Sequence, residues 1–158
     1  MAKIFTTGEA LTRMQTLCAR AEHCSYEIDV KLQRMGMTPD KRSDIISNLR
    51  DNRFIDDRRF AIAFARDKAR FAHWGKRKIA MTLRLKRIDT DTIMDAISEV
   101  DDEIFTEGAA HSAKSKASTM QRPLSFKDKT KIYAFLSARG FDSHLIRKAI
   151  SLLDDTDE

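Results

Sequence analysis

Apolar residues recur three and four positions apart along almost the whole chain, and this period limits the structure open to it. Each segment can bury one stripe of a helix, whereas in a strand the same residues would scatter over both faces of a sheet. The separators agree. Five Gly and two Pro (Pro39 and Pro123) in 158 residues are too few for the turns of a many-stranded sandwich or barrel. Cap signals precede the apolar runs instead. Thr6-Thr7-Gly8-Glu9 fits a capping box, in which a hydroxyl and a carboxylate satisfy orphan amides. Cys24-Ser25-Tyr26-Glu27 opens a second segment, and Thr38-Pro39-Asp40 opens a third with proline where the amide has no helical partner. Asp56-Asp57 and Asp89 start others, and Gly36 stands where a left-handed C-terminal residue is wanted.

The pattern repeats, as subtraction shows. A shift of 53 carries Ile79, Leu83, Ile88, Ile93, Ala96, Ile97 and Val100 onto Ile132, Leu136, Phe141, Ile146, Ala149, Ile150 and Leu153 without a gap. A shift of 51 pairs Cys24, Ile28, Leu32 and Met37 with Gly75, Ile79, Leu83 and Ile88, and a slip of about three residues then restores the match. The expectation is an all-α protein of three tandem three-helix repeats, over 6–55, 56–100 and 101–153, with an acidic tail over 154–158. A unit this small cannot bury a useful core alone, so serial packing should give an elongated, curved body. The helix over Glu103 to Met120 is rich in Ala, Ser and Lys with Gly108 inside, and is expected to be the least stable, fraying around Ser115 to Arg122.

Chemistry is sparse. His23, His73, His111 and His144 show no His-Glu-x-x-His spacing, the five glycines are isolated, and the adjacent carboxylates fall at helix starts or in the tail. No metal, cofactor or nucleotide site and no catalysis are expected. The longest apolar runs, such as Phe60 to Ala65, are far short of the ~20 residues of a membrane span, which reads as a soluble cytoplasmic protein. Cys18 and Cys24 lack a paired C-x-x-C spacing and are read as buried free thiols.

The strongest local signal is charge. From Arg66 to Arg87 nine bases (Arg66, Lys68, Arg70, Lys76, Arg77, Lys78, Arg84, Lys86, Arg87) face one acid, Asp67, although the whole chain carries only +5. Phe71 and Trp74 lie within it, giving the mix of cations and flat rings that suits phosphates and unstacked bases. A weaker cluster holds Lys127, Lys129 and Lys131 with Lys114, Lys116 and Arg122, opposed by Asp128. The plainer alternatives are solvated helix faces for the bases and an inter-helix wedge for Trp74. On the helix beginning at Lys76, Ile79 and Leu83 mark one face while Met81 and Leu85 point nearly opposite, and Arg77 and Arg84 share an edge near Met81. That second apolar face meets either another unit or a partner.

The stretch Phe54-Ile55-Asp56-Asp57-Arg58-Arg59-Phe60-Ala61, followed by Trp74-Gly75 and by Ile79, Leu83 and Lys86, resembles the central signature of the RecX family, regulators of the RecA recombinase. Glu22-His23, Glu27-Ile28 and Lys31-Leu32 are similar to the family's first repeat. Lys76 stands where the family usually has proline, Arg87 where it has glycine, and Cys24 where serine is common. The resemblance spans Ala10 to Leu153 and implies tandem three-helix repeats and a non-enzymatic modulator. Such a modulator lodges in the groove of a RecA filament on single-stranded DNA and mainly inhibits ATP hydrolysis, filament growth and strand exchange. A monomer with weak direct DNA binding is expected. The expected surface is Arg66, Arg70, Trp74, Lys76, Arg77, Lys78, Arg84, Lys86, Arg87, Lys127, Lys129 and Lys131. The alternatives are a general helical nucleic-acid-binding module with no RecA partner and a purely structural helical scaffold.

Overall fold

A computed structural model describes residues 3–155, and most of its helices begin where the sequence supplies a cap, α5 after Gly75 and α7 after Asp101 starting without a side-chain cap bond. They are α1 (Thr7–Arg20), α2 (Ser25–Arg34), α3 (Pro39–Asp51), α4 (Asp57–Arg70), α5 (Lys76–Leu85), α6 (Thr90–Ser98), α7 (Asp102–Ala117), α8 (Phe126–Ala138) and α9 (Ser143–Asp155), with no strand among the described residues. Thr6, Thr38, Asp56 and Asp89 each accept the amide three residues on, at 2.9–3.4 Å. The box expected at Thr6 is half made, because the Glu9 carboxylate turns to Lys3 at 3.9 Å. A full box forms at Ser125 and Asp128.

The same three-helix arrangement recurs: α3 packs on α1 and α2, α6 on α4 and α5, and α9 on α7 and α8. Each unit turns from its second to its third helix through a left-handed residue, at Gly36 (φ 81°), Arg87 (φ 58°) and Gly140 (φ 95°). Three core clusters result, one per unit. Ile28, Leu32, Ile45 and Leu49 anchor the first, Phe60, Ile79, Leu83 and Ile93 the second, and Ile132, Leu136, Phe141 and Ile146 the third. Ile79 and Leu83 are wholly buried, each contributing about 1.5–3 kcal/mol by leaving water. Cys24 and Phe105 cross over, since each is buried in the middle cluster although it lies outside 56–100. Burial pushes the Cys24 thiol up to about 11, so it stays protonated and inert. Cys18 is only partly buried, contrary to the expectation that both thiols would be enclosed.

Between units, α4 packs on α7. The small residues of α7 serve this arrangement: Gly108, Ala109, Ser112 and Ala113 are buried, and the helix packs against α4, α8 and α9 together. The segment expected to be weakest is therefore central to the packing, and its helix closes at Ala117, itself buried. The accessible surface of 10089 Å² exceeds the roughly 8,100 Å² expected of a compact monomer of 18.1 kDa, as serial units require. Helix α9 continues through Asp154 and Asp155, two residues expected in the acidic tail, and 156–158 lie outside the described residues. No helix among the described residues is long and apolar enough to cross a membrane.

Candidate polyanion-binding surface

Where α5 of the second unit meets the end of α8 in the third, the contact is made by backbone. Gly75 N–H donates to the Arg139 carbonyl at 2.8 Å and Arg77 N–H donates to the Gly140 carbonyl at 3.1 Å. Orphan amides at the start of α5 are thus met by orphan carbonyls at the end of α8, an N-terminus on a C-terminus, which also aligns the two helix dipoles favourably. The first junction uses side chains at the equivalent places. Ser25 N–H donates to Asp57 at 2.8 Å, Cys24 N–H donates to Glu27 at 3.2 Å, and Lys86 reaches the same Glu27 carboxylate at 3.0 Å. Burial raises the pKa of Glu27. The bonds from Lys86 and the Cys24 amide, with the charges of Lys86 and His23, outweigh it and hold the carboxyl below its ordinary 4.5.

Helix phase divides the basic stretch of the second unit. Arg66 and Lys68 are two residues apart on α4, about 200° around the axis, so they project to opposite sides. Arg70 goes with Arg66 and borders a cleft of about 380 Å³ with His73, Glu107 and His111. Four of the twelve expected surface residues are paired with acids: Arg66 with Glu99 (3.6 Å), Lys76 with Asp102 (2.8 Å), Lys86 with Glu27 and Lys129 with Asp154 (2.9 Å). Arg70, Arg77, Lys78, Arg84, Arg87, Lys127 and Lys131 meet no carboxylate among the described residues within 4.0 Å. Arg87 lies over the Tyr26 ring at 5.0 Å.

Trp74 is a wedge with charged covers. Its ring meets Phe64 edge to face at 6.1 Å and is partly buried against the second core, while the Lys68 and Lys78 ammonium groups sit 4.8 and 4.3 Å from its centroid. Across the junction, Phe135 is flanked in the same way by Lys116 at 5.3 Å and Arg139 at 5.1 Å. Arg139 joins the two groups, because its carbonyl accepts from Gly75 while its guanidinium covers Phe135 with Nε buried and unpartnered. His73, at φ 54°, stacks on His111 at 4.2 Å. Burial, then the charges of His111 and Arg139, lower the pKa of His73.

On the outer side of α5, Arg77, Met81, Arg84 and Leu85 are exposed together, Leu85 at 72%. The Arg77 guanidinium donates to the Phe141 carbonyl at 3.2 Å, which holds one end of this strip against the third unit. Such groups can hold phosphates or an acidic protein surface. Among the described residues no three His, Cys, Asp or Glu gather where a metal ion could sit. The expected surface left out Lys68 and Lys116, although the sequence places both in its basic clusters, and sequence reasoning did not single out Phe135 or Arg139. The 53-residue shift carries Lys86 onto Arg139, and would have flagged that position.

Comparison with known proteins agrees with this architecture. Residues 56–97 match the second three-helix domain of RecX, and 104–150 match the third. The regulatory protein RecX of Chlorobium phaeobacteroides (strain BS1) is 33% identical over 134 residues, 85% of this chain and 86% of that protein. Its counterpart in Chromobacterium violaceum is 28% identical over 91% of each chain. The Lactobacillus johnsonii relative is 30% identical, and the match spans only 48% of its length. The crystal structure of RecX from Lactobacillus salivarius has the same fold, with a TM-score of 0.79 over 94% of this chain and 96% of that one at 23% identity.

Proposed function

This chain belongs to the RecX family of regulatory proteins, and from that premise we propose that it is a non-enzymatic regulator of RecA. It binds RecA filaments on single-stranded DNA and restrains ATP hydrolysis, filament growth and strand exchange. The body acts as three units, 6–55, 56–100 and 101–153. Its contact surface is the cationic part of the middle unit with its neighbour: Arg77, Lys78, Arg84 and Arg87, extended by Lys127 and Lys131, while Arg70 lies with Arg66 on the other side of α4.

One observation supports this reading most: around the junction of the second and third units, Lys68 and Lys78 cover Trp74 and Lys116 and Arg139 cover Phe135, and none of these four cations meets a carboxylate among the described residues within 4.0 Å. A serial body carrying that surface can touch successive copies of a repeating partner, and weak contacts along a filament add through effective concentration. The acid-paired Arg66, Lys76, Lys86 and Lys129 contribute less.

The test is to add the protein to preformed RecA filaments on single-stranded DNA. ATP turnover falls at substoichiometric amounts, and no change at an equimolar ratio overturns the proposal. The flanked rings also suit a second reading, a general nucleic-acid-binding module. On that reading, charge reversal at Arg77 and Arg84 abolishes DNA binding and no separate RecA interaction is found.

A further inference from the structure

The three units differ in one respect that their shared topology hides. Helix α4 packs on α5 and α7 on α8, but α1 and α2 make no comparable contact. Between them opens a groove of about 1090 Å³. Counted from the N-caps Thr6 and Asp56, Ala10 and Met14 of α1 stand where α4 has the stacked pair Phe60 and Phe64. At the 51-residue shift, His23 stands where the second unit has its Trp74 wedge. The first unit lacks the ring volume that closes the second.

The groove has a consistent chemistry. Gly8, Thr12, Thr16 and Arg20, about one residue per turn, line it along the full length of α1, about 20 Å. Phe5, Met14, Leu17 and Met35 form the apolar part of its lining, and methionines adapt to an imperfectly matched surface. The rim is cationic: Lys3, Arg13, Arg20, Lys31 and Arg34 stand against one acid, Glu9. Lys3 approaches Glu9 only at 3.9 Å, and the other four meet no carboxylate among the described residues within 4.0 Å.

The geometry points to a docking groove between α1 and α2 for an acidic amphipathic helix of a partner protein. Its length suits three to four helical turns, the apolar lining takes one face, and the rim takes carboxylates on the flanks. A nucleic acid could use Phe5, which Lys3 and Arg13 flank at 4.9 Å, but would leave Met14, Leu17 and Met35 unused. A second copy of this chain, with its net charge of +5, complements the rim poorly. The inference does not rest on the RecA reading.

The probe is a fluorescein-labelled peptide of about 15 residues with Leu and Phe at i, i+4, i+7 and i+11 and Glu at most other places, followed by anisotropy with the full chain near 0.1 M salt. It binds, and Arg20→Glu with Arg34→Glu, both exposed positions whose variant is checked for native helicity and melting, weakens binding about tenfold or more. The equal charge change Arg147→Glu with Lys148→Glu, on exposed α9 positions, leaves it within about twofold. The inference is overturned by no binding at about 100 μM protein, a weak limit for a groove of this size, or by groove and α9 variants behaving alike. Equal binding of the same peptide with Gln for Glu overturns it. So does displacement of the peptide by an oligo-dT strand, or self-association that the groove variant abolishes.

Discussion

Gly75 and Gly140 meet backbone to backbone: a Cβ on Gly75 would lie 2.3 Å from the Gly140 carbonyl carbon, and one on Gly140 2.3 Å from the Lys78 nitrogen. Only a pair of residues without side chains lets α5 come close enough to donate its amides to the carbonyls ending α8. At the first junction the equivalent residues are Cys24 and Arg87, which cannot approach so closely. Carboxylates and a lysine bridge that gap. Where α5 meets the end of α8 the second and third units are therefore joined backbone to backbone, and at the equivalent place the first two are joined by ionisable side chains.

Gly75→Ala should destabilise the protein by about 2–3 kcal/mol, because the added methyl meets backbone that cannot yield. Gly108→Ala should do the opposite. Its Cβ would find ordinary contacts of 3.6–3.8 Å, and the helix gains up to about 1 kcal/mol of propensity. Urea unfolding of the two variants checks both signs.

Breaking the Glu27–Lys86 pair by Glu27→Gln should cost about 1 kcal/mol, the two side chains being a quarter exposed. Because the folded-state pKa of Glu27 lies below its unfolded value, this stabilisation is present above about pH 4.5 and is lost as pH falls through the folded pKa. In denaturant melts, wild type and Glu27→Gln should converge as the pH is lowered below 4.5.

Arg87 holds a left-handed backbone that glycine adopts at no steric cost, and it stacks on Tyr26. Arg87→Gly gains about 1 kcal/mol of relieved strain and loses about as much cation–π contact, so its stability should stay near wild type. Arg87→Ala keeps the strain and loses the contact. It should be the less stable of the two by about 1 kcal/mol in the same assay.

Arg77→Glu with Arg84→Glu should reduce the slope of log affinity for single-stranded DNA against log salt by about 1.4, two phosphate contacts at about 0.7 each. Arg66→Glu, already facing Glu99, should leave the slope nearly unchanged. A titration at three salt concentrations measures both.

His73, whose pKa is lowered by burial and by the charges of His111 and Arg139, should oppose folding at acid pH. The unfolded chain takes up its proton near 6.5 and the folded one only below that, so stability falls as pH drops from 6.5 through the folded pKa. Proton NMR titration of the His73 ring should show the lowered value, and His73→Asn should flatten the stability profile in this range.

The helices, most of their caps and the three-fold repetition were legible in the sequence because each rests on local rules. The period of Ile79 and Leu83, the hydroxyl of Thr38 ahead of Pro39 and the carboxylate of Asp56 act within a turn or two of chain. The surface was less legible. Counting bases from Arg66 to Arg87 gave one block of charge, but the helix turns Arg66 and Lys68 apart, and Glu99, Asp102 and Glu27 arrive from elsewhere to occupy three of its members. Arg139 and Phe135 join the surface only because a glycine contact brings the third unit onto the second.

The sequence alone determined what kind of element each segment becomes and that three similar units follow one another, since both depend on residues a few positions apart. Tertiary structure decided which cations remain unneutralised, which rings they cover and why the groove of the first unit stays open. Those outcomes depend on distances between residues far apart in the chain, set by whether a methyl group or a ring stands at the point where two helices meet.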